Sequence, residues 1–254
     1  MRKITLALTL LFALPAYGQA SAARWVVAMT RYGGSGTLGA FTAPDLRLHW
    51  AVTAVGALTA SRMDEWATSA EVRNRIMPNL QAEIGDKWGD PVAAAIILPS
   101  IFLADKMLGY SIVDTKKRLE FAVAGLVSVG VVTVVAKDVF RRERPNAVGH
   151  RSFPSGHTSI SFAVAEVARQ LYGNRVSVPF YLLAANTALS RIHDNKHYPS
   201  DVVAGAGLGI GIVRGFSLVE VPTMPLSFSL QFGRTGFQGN FLLSFDGFRF
   251  FNKL

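Results

Sequence analysis

The sequence predicts a mainly α-helical bundle followed by a C-terminal β-hairpin. Three observations predict it. Apolar residues recur at helical spacing through most of residues 46–218, short breaks of Pro, Gly and Asn separate those stretches, and the period changes to two after residue 219. The 254 residues are 50% hydrophobic and 17% charged, enough apolar material for one large core and too little charge for a disordered chain. The absence of cysteine excludes a disulfide scaffold, a thiol nucleophile and Cys-ligated zinc or iron–sulfur sites. A formal charge of +9 favours anionic partners. No aromatic ladder runs through a basic stripe, so nucleic acid is not expected among them.

Residues 1–22 read as a secretory signal peptide: Arg2-Lys3, an uncharged run Ile4 to Ala16, and small residues at Ala20-Ser21-Ala22. This places the chain outside the cytoplasm, in the periplasm or envelope. Residues 23–45 carry Gly33, Gly34, Gly36 and Gly39 without sustained periodicity and read as loop or short strand. Residues 46–218 form the helical domain, with stretches near 46–61, 63–75, 91–109, 117–141, 155–172, 177–191 and 199–215. Pro78, Gly89 to Pro91, Pro145 to Gly149, Gly173-Asn174 and Pro199 punctuate them. The longest internal uncharged run, Phe121 to Ala136, falls short of about 20 residues, and Asp105-Lys106, Glu166 and Arg169 cut the others. That pattern fits core helices of a soluble or peripheral protein. Residues 219–254 alternate apolar and polar from Leu226 to Phe232, turn at Gly233 to Gly236 and continue in an aromatic run, an appended hairpin.

Three segments carry the chemistry. The first, Lys137 to Pro145, is rich in Lys and Arg, and Pro145 forces Arg144 out of helical geometry so that its guanidinium can turn inward. In the second, Pro154-Ser155-Gly156-His157 opens an apolar run, placing Ser155 near an N-cap where free amides can meet an anion. In the third, Ser190-Arg191, His197 and Asp201, the four-residue spacing of His193, His197 and Asp201 would make a metal face on one helix, but Pro199 argues for a new helix. His197 then lies on the preceding loop, with Asp201 in the first turn able to orient its imidazole.

Taken together, Lys137, six residues, Arg144-Pro145; Pro154-Ser155-Gly156-His157; and Ser190-Arg191, five residues, His197, three residues, Asp201 resemble the tripartite signature of the type 2 phosphatidic acid phosphatase superfamily. Bacterial non-specific acid phosphatases, lipid phosphate phosphatases and vanadium haloperoxidases share it. The resemblance covers residues 137–205 closely and implies a helical bundle of the acid phosphatase/haloperoxidase type. It also implies a phosphoric monoester hydrolase that uses no metal or other cofactor. By resemblance, Lys137, Arg144, Ser155, Gly156 and Arg191 cradle phosphate. His197 attacks phosphorus to form a phosphohistidine, Asp201 holds its tautomer, and His157 protonates the leaving alcohol. The expected substrate is a lipid phosphomonoester or pyrophosphate, with peripheral membrane contact. A soluble acid phosphatase, a vanadate-dependent haloperoxidase and a non-catalytic anion-binding envelope protein are the alternatives. His193 and Asp194 fall at the site entrance or cap the loop; Asp138, Arg141 and Arg142 read as rim residues in surface salt bridges, and His49 and His150 as structural or exposed.

Overall fold

The computed structural model describes residues 19–90, 92–220, 226–233 and 236–243. Most of the segment expected as signal peptide lies outside them. Ten α-helices follow in chain order among the described residues: α1 Gln19–Thr42, α2 Arg47–Ser61, α3 Asp64–Ala67, α4 Ala70–Ile76, α5 Asn79–Gly89, α6 Val92–Met107, α7 Ile112–Phe140, α8 Gly156–Tyr172, α9 Asn174–His193 and α10 Pro199–Ser217. A 3-10 turn, Pro44–Leu46, joins α1 to α2. Strands β1 Leu226–Gly233 and β2 Gly236–Leu243 pair antiparallel, with Phe228 opposite Phe241.

Helix α8 is the axis of the bundle, packed by α9 and α10 along its length and by α5, α6 and α7. Its Ala163, Val164 and Val167 are fully buried, together with Val129 of α7 and Ile212 and Val213 of α10. Close approach explains the glycine-rich sequence of α10. A Cβ on Gly209 would stand 2.2 Å from the Ser159 carbonyl oxygen, and one on Gly215 would stand 2.5 Å from the Ala40 backbone. Each glycine weakens the isolated helix by roughly 1 kcal/mol relative to Ala, and the tight backbone packing offsets it.

Two expectations need correction. Residues 24–42 are helical rather than loop or strand, and Gly36 serves packing there: a Cβ on it would stand 2.5 Å from the Phe216 ring of α10. Residues 79–89 form α5, unforeseen because Pro78 and Gly89 to Pro91 bracket only 11 residues. A third finding concerns the outer faces. On α2, Leu48, Val52, Val55 and Leu58 are all more than 60% exposed, and on α7, Val127, Val131, Val134, Val135 and Val139 are bare. Asp105 and Glu166, which interrupt the apolar runs, point inward instead: Asp105 pairs with Arg118 at 2.9 Å, and fully buried Glu166 holds Arg169 at 2.5 Å and Arg214 at 3.1 Å.

Candidate active site

The three signature segments converge at one end of the bundle, where α7 and α9 finish and α8 and α10 begin. Helix α7 stops at Phe140 because Arg141 turns into the left-handed region, at φ 44°. The last turn of α7 presents Lys137, whose ammonium donates to the carbonyl of Arg151 at 2.7 Å and that of Ser152 at 3.3 Å. Arg144 lies in the loop beyond, its amide bonded to the Gly149 carbonyl.

Ser155 is the N-cap of α8, yet its side chain does not cap the helix; its hydroxyl accepts from Thr158 at 3.0 Å. The first-turn amides of α8 therefore lack that intrahelical partner and stay open to an anion. The Ser155 amide donates to the Asp201 carbonyl at 3.0 Å, tying the start of α8 to the start of α10. Gly156 lies over Lys137: a Cβ there would be 3.6 Å from the Lys137 Cε.

Pro199 is the first residue of α10, so His197 sits on the preceding loop and Asp201 in the first helical turn. Both are buried. The His197 Nδ1 lies 3.6 Å from Asp201 Oδ2 and 3.5 Å from the Ser152 hydroxyl, which itself donates to Asp201 Oδ2 at 2.5 Å. An Nδ1–H aimed at this pair leaves Nε2 with its lone pair free. Burial lowers the His197 pKa from 6.5 to about 4; the hydrogen bond to Asp201 opposes that fall, and the charges of Lys137 and Arg191 deepen it. The ring is neutral over most of the physiological range.

Asp201 is the hub of a network that includes residues the sequence did not single out. Its Oδ2 accepts from the Tyr198 amide at 2.9 Å and its Oδ1 from Arg142 at 2.7 Å. The same guanidinium donates to Asp64 Oδ2 at 2.7 Å and lies 4.0 Å over the Tyr198 ring. Asp64 in turn accepts from the amide and hydroxyl of Ser200. Arg142 is thus an internal strut rather than a rim residue, a correction that local sequence could not supply, because Asp64 is 78 positions away.

A second unforeseen pair comes from α5. Asp86 accepts from Arg191 and lies 3.4 Å from the Lys196 ammonium, while Asp90 lies 3.0 Å from His157 Nε2. Two aspartates one helical turn apart were the only sequence signal. His193 and Asp194 contact each other at 3.1 Å, Asp194 also meets Lys196, and Asp138 pairs with Arg151. His49 bonds the Gly207 carbonyl, a packing role. No cluster of three or more His, Cys, Asp or Glu side chains suited to a metal ion occurs among the described residues.

The family model of the PAP2 superfamily matches residues 119–221. Lipid A 1-phosphatase of Porphyromonas gingivalis is 39% identical over 97 residues, 37% of this chain and 22% of that protein. Decaprenylphosphoryl-5-phosphoribose phosphatase of Mycobacterium tuberculosis is 34% identical over 106 residues, 37% of this chain and 58% of that protein. Aquifex aeolicus LpxE, a solved structure, is 22% identical with a TM-score of 0.48, covering 58% of this chain and 90% of that one. The chain therefore matches well under two thirds of the length of either curated relative.

Proposed function

Residues 119–221 belong to the PAP2 superfamily, and from that premise we propose that this chain is a membrane-embedded phosphatase that hydrolyses a lipid phosphomonoester or pyrophosphate through a phosphohistidine. The observation that supports the reading is His197: buried, neutral, its Nδ1 facing Asp201 and Ser152, and its ring in the field of Lys137 and Arg191.

The chemistry divides among the side chains. Lys137, Arg144 and Arg191, with Ser155 and the Gly156 amide, compensate the phosphate charge and its spread in the transition state. His197 Nε2 forms the bond to phosphorus as the ester P–O bond breaks, and His157 gives its proton to the departing oxygen. Asp201 stabilises the ring as positive charge grows on it. Water then attacks the phosphohistidine, giving its proton to His157; inorganic phosphate leaves and both imidazoles return to their starting states. No step draws on a metal.

Two observations favour a lipid substrate. Both curated relatives are named for phosphorylated lipids or lipid-linked sugars. The outer faces of α2 and α7 also carry bare apolar side chains while Asp105 and Glu166 face inward, a pattern suited to a bilayer as solvent. Helix α7 is long and apolar enough to cross a membrane, and α5 with α6, bent by 68°, would supply a second span. Export with the site outside the cytoplasm is part of the proposal and rests on residues 1–22. A panel of phosphatidate, phosphatidylglycerol phosphate, isoprenyl pyrophosphate, lipid A and soluble phosphomonoesters, each with and without detergent, tests it. Turnover of lipid phosphates is expected. Turnover confined to soluble esters would favour an acid phosphatase, and vanadate-dependent halide oxidation without hydrolysis a haloperoxidase.

A further inference from the structure

We propose that Asp90 is a positioning residue for the acid–base histidine: its carboxylate accepts from His157 Nε2–H, holding the ring at the phosphate end of the bundle and stabilising the imidazolium that supplies the leaving group's proton. The inference rests on the phosphatase reading above and deepens it.

Helix α5 packs closely on α8 and α9. Gly85 and Gly89 stand one turn apart on its inner face, where a Cβ on Gly85 would lie 2.8 Å from the Asn186 carbonyl oxygen and one on Gly89 would lie 2.6 Å from the His157 Cβ. The Thr187 hydroxyl donates to the Gly85 carbonyl at 2.8 Å and fixes the contact. This approach brings the next residues along the helix, Asp86 and Asp90, to the phosphate end of the bundle. They are not equivalent: Asp86 faces Arg191 and Lys196 and is 3.8 Å from His157 Nε2, whereas Asp90 meets that nitrogen at 3.0 Å.

Asp90 joins α5 to α6: it is the C-cap of α5, and its carbonyl accepts from the Ala93 amide in the first turn of α6 at 3.2 Å. Its side chain is 52% exposed, so burial does not fix it. Its one described partner is the imidazole, and an imidazolium at that position gains from both the carboxylate and the end of α5.

The groups facing His157 are Asp86 and Asp90 from α5, Lys196 from the loop before α10, and Lys137 from α7. Burial and the two ammoniums drive its pKa down, while Asp90 raises it. Removing the Asp90 charge therefore lowers the His157 pKa further, and the proton needed by the leaving oxygen is lost at a lower pH.

The test uses Asp90→Asn in full-length protein in detergent, with an alkyl phosphate as poor leaving group and an aryl phosphate as good one. Loss of proton donation lowers kcat/KM for the alkyl ester by about 10–100-fold and for the aryl ester by less than about 3-fold. The basic limb of the pH profile moves to lower pH, and in a His157→Ala background the substitution adds nothing. Equal losses on both esters, no loss on either, or full additivity with His157→Ala would overturn the proposal. NMR titration of 15N-histidine-labelled protein, with the His157 signal assigned by its absence in His157→Ala, gives a second readout independent of turnover. The His157 pKa falls in Asp90→Asn, and an unchanged value would count against the contact. Wild-type protein inactive on every phosphate ester would instead sink the phosphatase reading, with this titration still deciding the Asp90 contact.

Discussion

Arg142→Met removes the strut between α3 and the nucleophile's carboxylate while keeping much of the apolar stem. In the native protein the guanidinium satisfies Asp64 and Asp201 at 2.7 Å each, and those carboxylates are 6% and 0% exposed. Breaking a buried ion pair from one side destabilises by about 3–5 kcal/mol. Here the guanidinium is 32% exposed, which screens it, and each carboxylate keeps other donors: Ser200 for Asp64, Ser152 and the Tyr198 amide for Asp201. A loss of about 2–3 kcal/mol follows, or roughly 4–10 °C in Tm for a domain of this size. The catalytic effect acts through Asp201. Deleting the orienting carboxylate of a catalytic histidine lowers turnover by as much as about 10⁴, and Asp201 keeps two donors on Oδ2, so kcat should fall by about 10–100-fold. KM should change little, because both ends of the guanidinium are turned toward carboxylates rather than phosphate. Arg142→Lys, with charge but no fork, should fall between. Thermal melting in detergent and steady-state kinetics measure both. An unchanged Tm with kcat within about 2-fold, or a raised KM with kcat intact, would refute the strut and make Arg142 either idle or a substrate ligand.

Because the folded state holds His197 near pKa 4 against 6.5 unfolded, the unfolded chain takes up that proton first, so stability falls as pH drops from about 6.5 to about 4. The full effect is on the order of 3 kcal/mol; His197→Gln should flatten that part of the pH–stability curve, and the acid limb of kcat/KM should lie near 4, an acid limb near 6.5 contradicting it. Gly209→Ala should destabilise by roughly 1–3 kcal/mol through its contact with the Ser159 carbonyl, whereas Gly130→Ala, with open space at its Cβ, should be neutral or stabilising; equal melting shifts would contradict the packing of α8 on α10. Val131→Lys, on the bare face of α7, should lower retention in alkali-washed membranes, and wild-type protein released by high salt alone would show that α7 does not span.

The sequence made the chemistry legible where it is local. Pro199 marks the start of α10 and so separates His197 from Asp201 in the way their contact requires, and Ser155-Gly156 marks the start of α8. What it left unread arrives from distant segments. Asp64 reaches Arg142 and Asp90 reaches His157 only after α3 and α5 pack, and neither aspartate sits in a recognisable motif. Gly36 of α1 misled for a related reason: glycine ordinarily weakens helices, and only the approach of Phe216 makes its missing side chain favourable. The charges at Asp105 and Glu166 broke the apolar runs on paper, but they face inward to Arg118, Arg169 and Arg214.

The central claim is that His197 forms the bond to phosphorus. It is tested most directly by rapid quench of enzyme turning over a 32P-labelled lipid phosphate, followed by mapping of the labelled peptide. Label that is stable in alkali, lost in acid, carried on the peptide containing His197 and absent from His197→Ala is the predicted result. Label on another residue, or the same acid-labile label trapped on the His197→Ala protein, would contradict it.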